Sequence, residues 1–182
     1  MSAIITQELL DWARALPPND DGTPAACTEG VKEAEAMIGQ PISALPFDSR
    51  QWLAKRAPDA EAQHVLARDE DVIVRRSLAR NHAVVAKAQS VLAHDGDGGV
   101  RWHLADNPSL TPEAQAILAE DDDVDVRWCL AANPALIAAV QAVLAEDKDV
   151  DVRRYLADNP ALTPEARSIL ARDKRRIEAD KQ

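Results

Sequence analysis

Apolar side chains return along this chain at a fixed interval of 26 residues. In each interval a valine is followed four positions later by a leucine, as at Val100 and Leu104, which places both on one face of a helix. A second stripe follows, with its leucine at Leu66, Leu92, Leu118, Leu144 and Leu170. Helices this short are marginal in water on their own. The pattern therefore predicts stacked repeats of two short helices, some of them 3₁₀ rather than α.

Polar residues mark where these helices begin and end. Asn-Pro closes the first helix of a repeat, because proline disfavours the helical conformation in the residue before it. Thr-Pro-Glu, as at Thr111, opens the second helix with a capping hydroxyl and a proline at the first helical position. Asp-x-Asp pairs such as Asp121 and Asp123 separate the repeats and cap the next helix.

The repeat divides the chain into three parts. Residues 1–47 are predicted to be an N-terminal helical capping region, 48–176 five repeats, and 177–182 a charged tail. In the capping region we expect one helix from Thr6 to about Leu16 and another from about Thr28 to Ile38, with Gly39 as its C-terminal cap. Arrays of repeats need such a cap to cover their exposed end.

The repeating phrase V-R-x-x-L-A-x-N-P, followed by T-P-E-A-x-x-x-L-A-x-D-x-D, resembles the leucine-rich repeat variant family over roughly Arg50 to Arg176. The resemblance implies an all-α, right-handed α-solenoid of five repeats in which α and 3₁₀ helices alternate. Some relatives carry a cysteine-rich iron–sulfur module before the repeats. Only Cys27 lies in that region here, so the module is absent or replaced.

Composition narrows the classes of function. The net charge of −10 disfavours general binding to phosphate backbones. The two cysteines lie far apart, which disfavours a disulfide framework, and no apolar run or signal peptide is seen. We therefore expect a cytoplasmic protein that is not an enzyme and holds no cofactor or metal. The segment Asp95-Gly96-Asp97-Gly98-Gly99 resembles a calcium loop superficially but lacks the distant glutamate.

Two recurring polar positions are best explained as structural ladders. We expect each arginine to pair with aspartates that end the neighbouring repeat, such as Asp123, Asp125, Asp149 and Asp151, although an anionic partner is the alternative. We expect each asparagine to bond free carbonyl groups or to tolerate a left-handed turn. The positions are Arg50, Arg75, Arg101, Arg127 and Arg153, and Asn81, Asn107, Asn133 and Asn159.

The position after the recurring arginine varies, and it is the candidate partner-binding site. It holds Gln51, Arg76, Trp102, Trp128 and Arg154 in the five repeats. In a helix it lies about 200° from the core valine, so Trp102 and Trp128 should face outward, flanked by Arg76 and Arg154. Tryptophan and arginine are enriched at binding hot spots. The alternative is that both tryptophans lie flat on a neighbouring turn and stack with the arginines.

These features favour a protein-interaction scaffold whose partner is another protein, one with a basic patch for instance. Two other classes stay open. The iron–sulfur relatives suggest an accessory factor in metalloenzyme or iron–sulfur cofactor assembly. The arginine ladder and Lys174-Arg175-Arg176 suggest a weak DNA-binding helical-repeat protein, against which the net charge argues.

Overall fold

The computed structural model describes residues 4–15, 37, 39–56 and 59–179, with side chains described through Arg172. These residues form α-helices and one 3₁₀ turn, with no β-strand among them. The α-helices, in chain order, are α1 Gln7–Ala15, α2 Phe47–Arg56, α3 Ala60–Leu66, α4 Val72–Ala79, α5 Ala86–Leu92, α6 Gly98–Ala105, α7 Pro112–Ala119, α8 Val124–Ala132, α9 Ala138–Ala145, α10 Val150–Ala157 and α11 Pro164–Ala179; the 3₁₀ turn is Ile42–Ala44. The chain forms two compact units, Met1–Val91 and Leu92–Gln182.

In the first unit, the N-terminal helix packs against the start of the repeats. Thr6 caps α1 by accepting a hydrogen bond from the Leu9 amide at 3.1 Å, and the helix buries Leu9, Leu10 and Ala13. The ring centroids of Trp12 on α1 and Trp52 on α2 lie 5.8 Å apart. Within the repeats of this unit, α2 packs on α4, and α3 packs on α4 and on the 3₁₀ turn.

The described end of the predicted capping region, residues 39–46, is packed. Ile42 and Leu45 are buried, and the Ile5 amide donates to the Gln40 carbonyl at 2.9 Å. Gly39 has φ of +85°, a left-handed conformation that glycine adopts without strain. Met37 lies in a turn, whereas the rest of the helix predicted from Thr28 to Ile38, and Cys27, lie outside the described residues.

In the second unit, helices alternate between two rows. The first-helix row consists of α6, α8 and α10, in which each helix packs on the next. The second-helix row consists of α7, α9 and α11, again packed in order. The recurring valines and leucines fill the space between the rows, and all are fully buried: Val100, Leu104, Leu118, Val126, Leu130, Leu144, Val152 and Leu156.

The expected alternation of α and 3₁₀ helices is wrong for the described repeats, because both helices of each repeat are α-helices. The second helices run for seven or eight residues up to α9. That length exceeds the three or four residues over which 3₁₀ geometry usually persists. Local caps also support α geometry: Thr111 accepts from the Ala114 amide at 3.2 Å, and Asp59 accepts from the Ala62 amide at 2.6 Å.

The last helix, α11, departs from the others. Its backbone runs from Pro164 to Ala179, so it continues into the segment predicted as a charged tail. Leu170 and Ala171 are partly or fully exposed there, whereas the equivalent leucines and alanines of earlier repeats are buried. The burial pattern of the repeats therefore ends within this helix.

Candidate functional site

A chain of arginines and aspartates runs through the repeats beside the apolar core. Arg127 donates from Nε and Nη2 to the two carboxylate oxygens of Asp147, at 2.7 and 3.2 Å. Arg101 makes the same bidentate contact with Asp121, at 2.6 and 3.0 Å, and Arg50 makes it with Asp69. Both side chains of the Arg127–Asp147 pair are nearly inaccessible to solvent, at 5% and 6%. These are charge-assisted, fork-shaped contacts that lysine could not reproduce.

The third guanidinium nitrogen links each repeat to the one before it. Arg127 Nη1 donates to the backbone carbonyl of Asp121 at 2.7 Å, and Arg153 Nη1 donates to that of Asp147 at 2.6 Å. Asp121 therefore serves two arginines, Arg101 through its side chain and Arg127 through its carbonyl. In the first unit, Arg75 donates likewise to the Asp69 carbonyl at 2.8 Å.

The aspartates that pair with arginine are not those expected from the sequence. The partners are the first residue of each Asp-x-Asp pair and belong to the arginine's own repeat: Asp69, Asp121 and Asp147. The expected Asp123 and Asp149 instead cap α8 and α10, accepting from backbone amides at 2.8–3.2 Å. The first aspartate also accepts from the amide of the second, at 2.9 Å for Asp121. Asp125 and Asp151 are exposed on the first-helix row.

The asparagines join consecutive repeats through their amide groups. Asn133 Nδ2 donates to the carbonyl of Ala105 at 2.7 Å and to that of Asn107 at 3.0 Å. Asn159 repeats these contacts with Ala131 and Asn133, and Asn81 donates to Ala54. Each side-chain oxygen accepts the amide two residues on, at 2.9 Å in every case: Ala83, Ser109, Ala135 and Ala161. No non-glycine residue with described geometry has positive φ, so carbonyl bonding, not a left-handed turn, explains this position.

A glutamine ladder with the same role was missed by the sequence reasoning. Gln115 accepts from the Ile137 amide at 2.9 Å and donates to the Ala135 carbonyl at 3.0 Å, so it binds the loop of the next repeat. Gln63 and Gln141 make the equivalent pair of bonds. The four glutamines are almost fully buried: Gln63, Gln89, Gln115 and Gln141. The available signal was a polar residue recurring every 26 positions beside an apolar stripe.

The varied position is occupied in the second unit by Trp102 on α6, Trp128 on α8 and Arg154 on α10. These are equivalent positions on helices that pack in order, so the three residues lie on successive members of one row. Both tryptophans are half-buried rather than fully outward-facing. For Trp128 the reason is that the next helix covers part of the ring, since the centroids of Trp128 and Tyr155 lie 4.3 Å apart at an angle of 66°.

The arginines of this position are placed differently. Arg154 is exposed, and its Nη1 lies 3.8 Å from Oδ1 of Asp151 one turn earlier. Arg76 is half-buried on α4 of the first unit. The Trp128 ring contacts the ring of Tyr155. We call Trp102, Trp128, Tyr155 and Arg154 the tryptophan row.

Cys129 lies on α8 next to Trp128 but is not a reactive thiol. Its Sγ is 3.6 Å from the Trp102 carbonyl oxygen, and the side chain is buried. Burial, with a smaller contribution from the charge of Asp106, raises the pKa of Cys129 to about 12. The thiol therefore stays protonated at neutral pH, which leaves it a poor nucleophile.

Neither a metal cluster nor a membrane-spanning helix occurs in the described part of the chain. Among the residues that the structure describes, no three histidine, cysteine, aspartate or glutamate side chains are grouped so as to hold a metal ion. Within the same residues, no helix is both long and apolar enough to cross a membrane.

The chain matches no family model, no curated protein and no solved structure. The resemblance to leucine-rich repeat variants therefore remains a prediction from the repeated phrase.

We predict that Gln115→Ala lowers the free energy of unfolding by about 2–4 kcal/mol. The substitution removes the hydrogen-bond partner of the Ile137 amide and of the Ala135 carbonyl, both in the loop of the next repeat. Arg167→Ala is the matched control, since Arg167 occupies the same position of the last repeat and is exposed. It should change stability by less than about 0.5 kcal/mol. Urea denaturation measures both, and equal losses would contradict the role given to the glutamines.

The Arg127–Asp147 pair predicts a loss of stability in acid. The Asp147 pKa is lowered: burial acts to raise it, but the hydrogen bond from Arg127, the Asp149 amide and the arginine charge together outweigh burial. A carboxylate whose pKa is lower in the folded state stabilises the fold at pH values above its unfolded pKa of about 4. That stabilisation is lost as the pH falls through the pKa of the folded state.

Asp147→Asn should therefore be less stable than wild type at pH 7, and the difference should shrink as pH falls from about 4 to about 2. Urea denaturation across this range measures the difference. Asp122→Asn removes one exposed carboxylate from a neighbouring loop and should follow the wild-type curve. A stability difference between wild type and the Asp147→Asn variant that is independent of pH would be inconsistent with this assignment.

Proposed function

We propose that this protein is a non-enzymatic scaffold that binds another protein through the tryptophan row. One observation carries the proposal. The recurring arginines, asparagines and glutamines form hydrogen bonds within and between repeats, whereas the residue at the varied position changes from repeat to repeat. Glutamine or arginine occupies it in three of the five repeats, yet in the second unit it supplies two large aromatic side chains on adjacent helices.

The surface around the tryptophan row has the character of a binding site. Tyr155 is 36% exposed, and the half-buried tryptophans present rigid aromatic surface to solvent. The Trp128 ring is held by packing against Tyr155 of the next helix, so little conformational entropy is lost when a partner covers it. Aromatic residues with these properties commonly dominate the energy of protein interfaces. Arg154 is included in the proposed site as a flanking cation.

The finer architecture is part of the same proposal. We propose that five repeats stack as a right-handed α-solenoid of the leucine-rich repeat variant type, closed at its start by residues 1–47. The inter-repeat bonds of asparagine and glutamine support stacking in each unit. A cytoplasmic location and a partner that carries a basic patch complete the proposal, the latter because the net charge is −10.

Replacement of Trp102 and Trp128 by alanine should abolish capture of the partner. The test is affinity capture from the native organism followed by mass spectrometry, with circular dichroism to establish that the variant is folded. Because both rings are half-buried, a second variant, Trp102→Leu with Trp128→Leu, retains apolar packing while it removes the aromatic surface.

Val143→Ala is the control, since this 51% exposed side chain lies on α9 in the other row. Specific partners should be retained by the control and lost from both tryptophan variants. Retention of every partner by folded tryptophan variants would eliminate the tryptophan row as the binding surface.

A further inference from the structure

Exposed apolar side chains gather on the two helices that carry Trp128 and Tyr155. Val124 on α8 is 39% exposed and Val150 on α10 is 60% exposed, whereas the recurring valines and leucines of the same helices are fully buried. Of the six large apolar side chains that are exposed in the described part of the chain, three lie on α8 and α10: Val124, Val150 and Tyr155. Exposed apolar surface is therefore concentrated on two adjacent helices of the first-helix row.

Helical spacing places each of these valines on the face of the varied position. Val124 lies four residues, about one turn, before Trp128, and Val150 lies four residues before Arg154. The rings of Trp128 and Tyr155 lie 4.3 Å apart between centroids, so the apolar surface continues from α8 to α10. Val124 stays exposed although α10 packs on α8. We call Val124, Trp128, Val150 and Tyr155 the apolar patch.

The equivalent position of α6 differs and limits the apolar patch to α8 and α10. Gly98 lies four residues before Trp102, and a Cβ at Gly98 would lie 2.8 Å from Oδ2 of Asp123, the residue that caps α8. A valine there would force the capping side chain to move. Trp102 therefore lies at the edge of the apolar patch, without a valine one turn before it.

The exposed charges around the apolar patch are mostly acidic. Between residues 120 and 158, six exposed side chains are acidic and two are basic. We call the six the acidic rim: Glu120, Asp122, Asp125, Glu146, Asp151 and Asp158. An apolar centre with a polar rim is the usual anatomy of a protein interface. An acidic rim favours a partner that presents cations, since opposite charges steer the encounter and like charges repel.

The occupant that fits this surface carries both apolar and basic side chains. We infer that the apolar patch binds a segment of the partner protein in which apolar side chains are flanked by lysine or arginine. Val124 and Val150 are then binding residues in addition to the tryptophan row, and the acidic rim receives the cations. The inference rests on the proposed function, since it names the chemistry of the partner at the same surface.

The probe is a fluorescein-labelled peptide of three Lys-Leu-Leu-Lys units. Its binding to the full chain is measured by fluorescence anisotropy at physiological ionic strength. Two matched peptides replace every leucine by serine or every lysine by glutamate, and both should bind about tenfold or more weakly than the first. Equal affinity of the serine peptide would show attraction to charge alone, and equal affinity of the glutamate peptide would show that cations are not recognised. Either result overturns the inference.

Val124→Ser with Val150→Ser should weaken binding of the leucine–lysine peptide about fivefold or more, because it removes exposed apolar surface from the apolar patch. Ile73→Ser with Val143→Ser is the matched control, since these side chains are 47% and 51% exposed and lie outside the apolar patch. The control should stay within about twofold of wild type. Circular dichroism establishes that both variants are folded. Equal weakening by the two pairs would contradict the inference.

Reversal of charge locates the cations of the peptide. Asp125→Lys with Asp151→Lys should weaken binding about fivefold or more, whereas Glu113→Lys with Glu165→Lys should stay within about twofold of wild type. All four residues are exposed and lie in the first turn of their helices, but the glutamates are on the second-helix row. At physiological ionic strength, charges more than about 8 Å apart are largely screened. Equal weakening by both pairs would overturn the role of the acidic rim.

A second copy of this chain is the alternative occupant. Sedimentation velocity of the unlabelled full chain tests it. The inference predicts no self-association that depends on the apolar patch. Self-association of wild type that is abolished in the Val124→Ser, Val150→Ser variant would assign the apolar patch to a second copy and overturn the inference.

The proposed function and this inference fail separately. If the tryptophan variants lose the cellular partner while the folded Val124→Ser, Val150→Ser variant binds the peptide as wild type does, the proposed function stands and the inference is wrong. If the valine variant loses the peptide but the tryptophan variants keep every cellular partner, the apolar patch binds such segments and the proposed function fails.

Discussion

The buried arginine–aspartate chain is the interaction on which the repeat structure depends. A guanidinium and a carboxylate can be taken out of water only if they satisfy each other and their remaining hydrogen-bonding groups. Arg127 meets that condition by binding both carboxylate oxygens of Asp147 and the carbonyl of Asp121. The contact spans 20 residues, so it fixes where the second helix of a repeat must end relative to the first. In the first repeat, which is one residue shorter than the others, the contact between Arg50 and Asp69 spans 19 residues. The pair thus survives a change in repeat length.

The amide ladders extend the same constraint to the loops. Gln115 and Asn133 each donate to carbonyls and accept from amides that no helix can satisfy. A buried loop without such partners would carry a cost of about 1–3 kcal/mol for each unpaired group. The three ladders together account for most of the buried polar residues of the repeats. What they leave open is the outer surface of the first-helix row, and there Trp102 and Trp128 depart from the repeat pattern.

The sequence predicts best those features that depend on residues close together in the chain. Helix caps such as Thr6 and Thr111 act on amides three residues away, so their role can be predicted without knowledge of the fold. The arginine partners were predicted wrongly because each loop carries two or more aspartates that the sequence does not distinguish, and only packing decides which of them faces the guanidinium. The role of the glutamines could not be predicted from one repeat, since their hydrogen-bond partners lie in the loop of the next repeat. Helical spacing predicts that Trp128 lies away from the core valine, but it cannot show that Tyr155 of the next helix covers part of the ring.

The central claim is that the arginine–aspartate pair is a coupled structural unit, and a double-mutant cycle on Arg127 and Asp147 tests it most directly. The free energy of unfolding in urea is measured for Arg127→Ala, Asp147→Ala and the combined variant. Each single substitution should cost about 3–5 kcal/mol, because it leaves one buried charge without its partner. The combined variant should cost less than the sum of the two by about 1–3 kcal/mol. Additivity within about 0.5 kcal/mol would contradict the account, since it would mean that the two side chains contribute to stability independently.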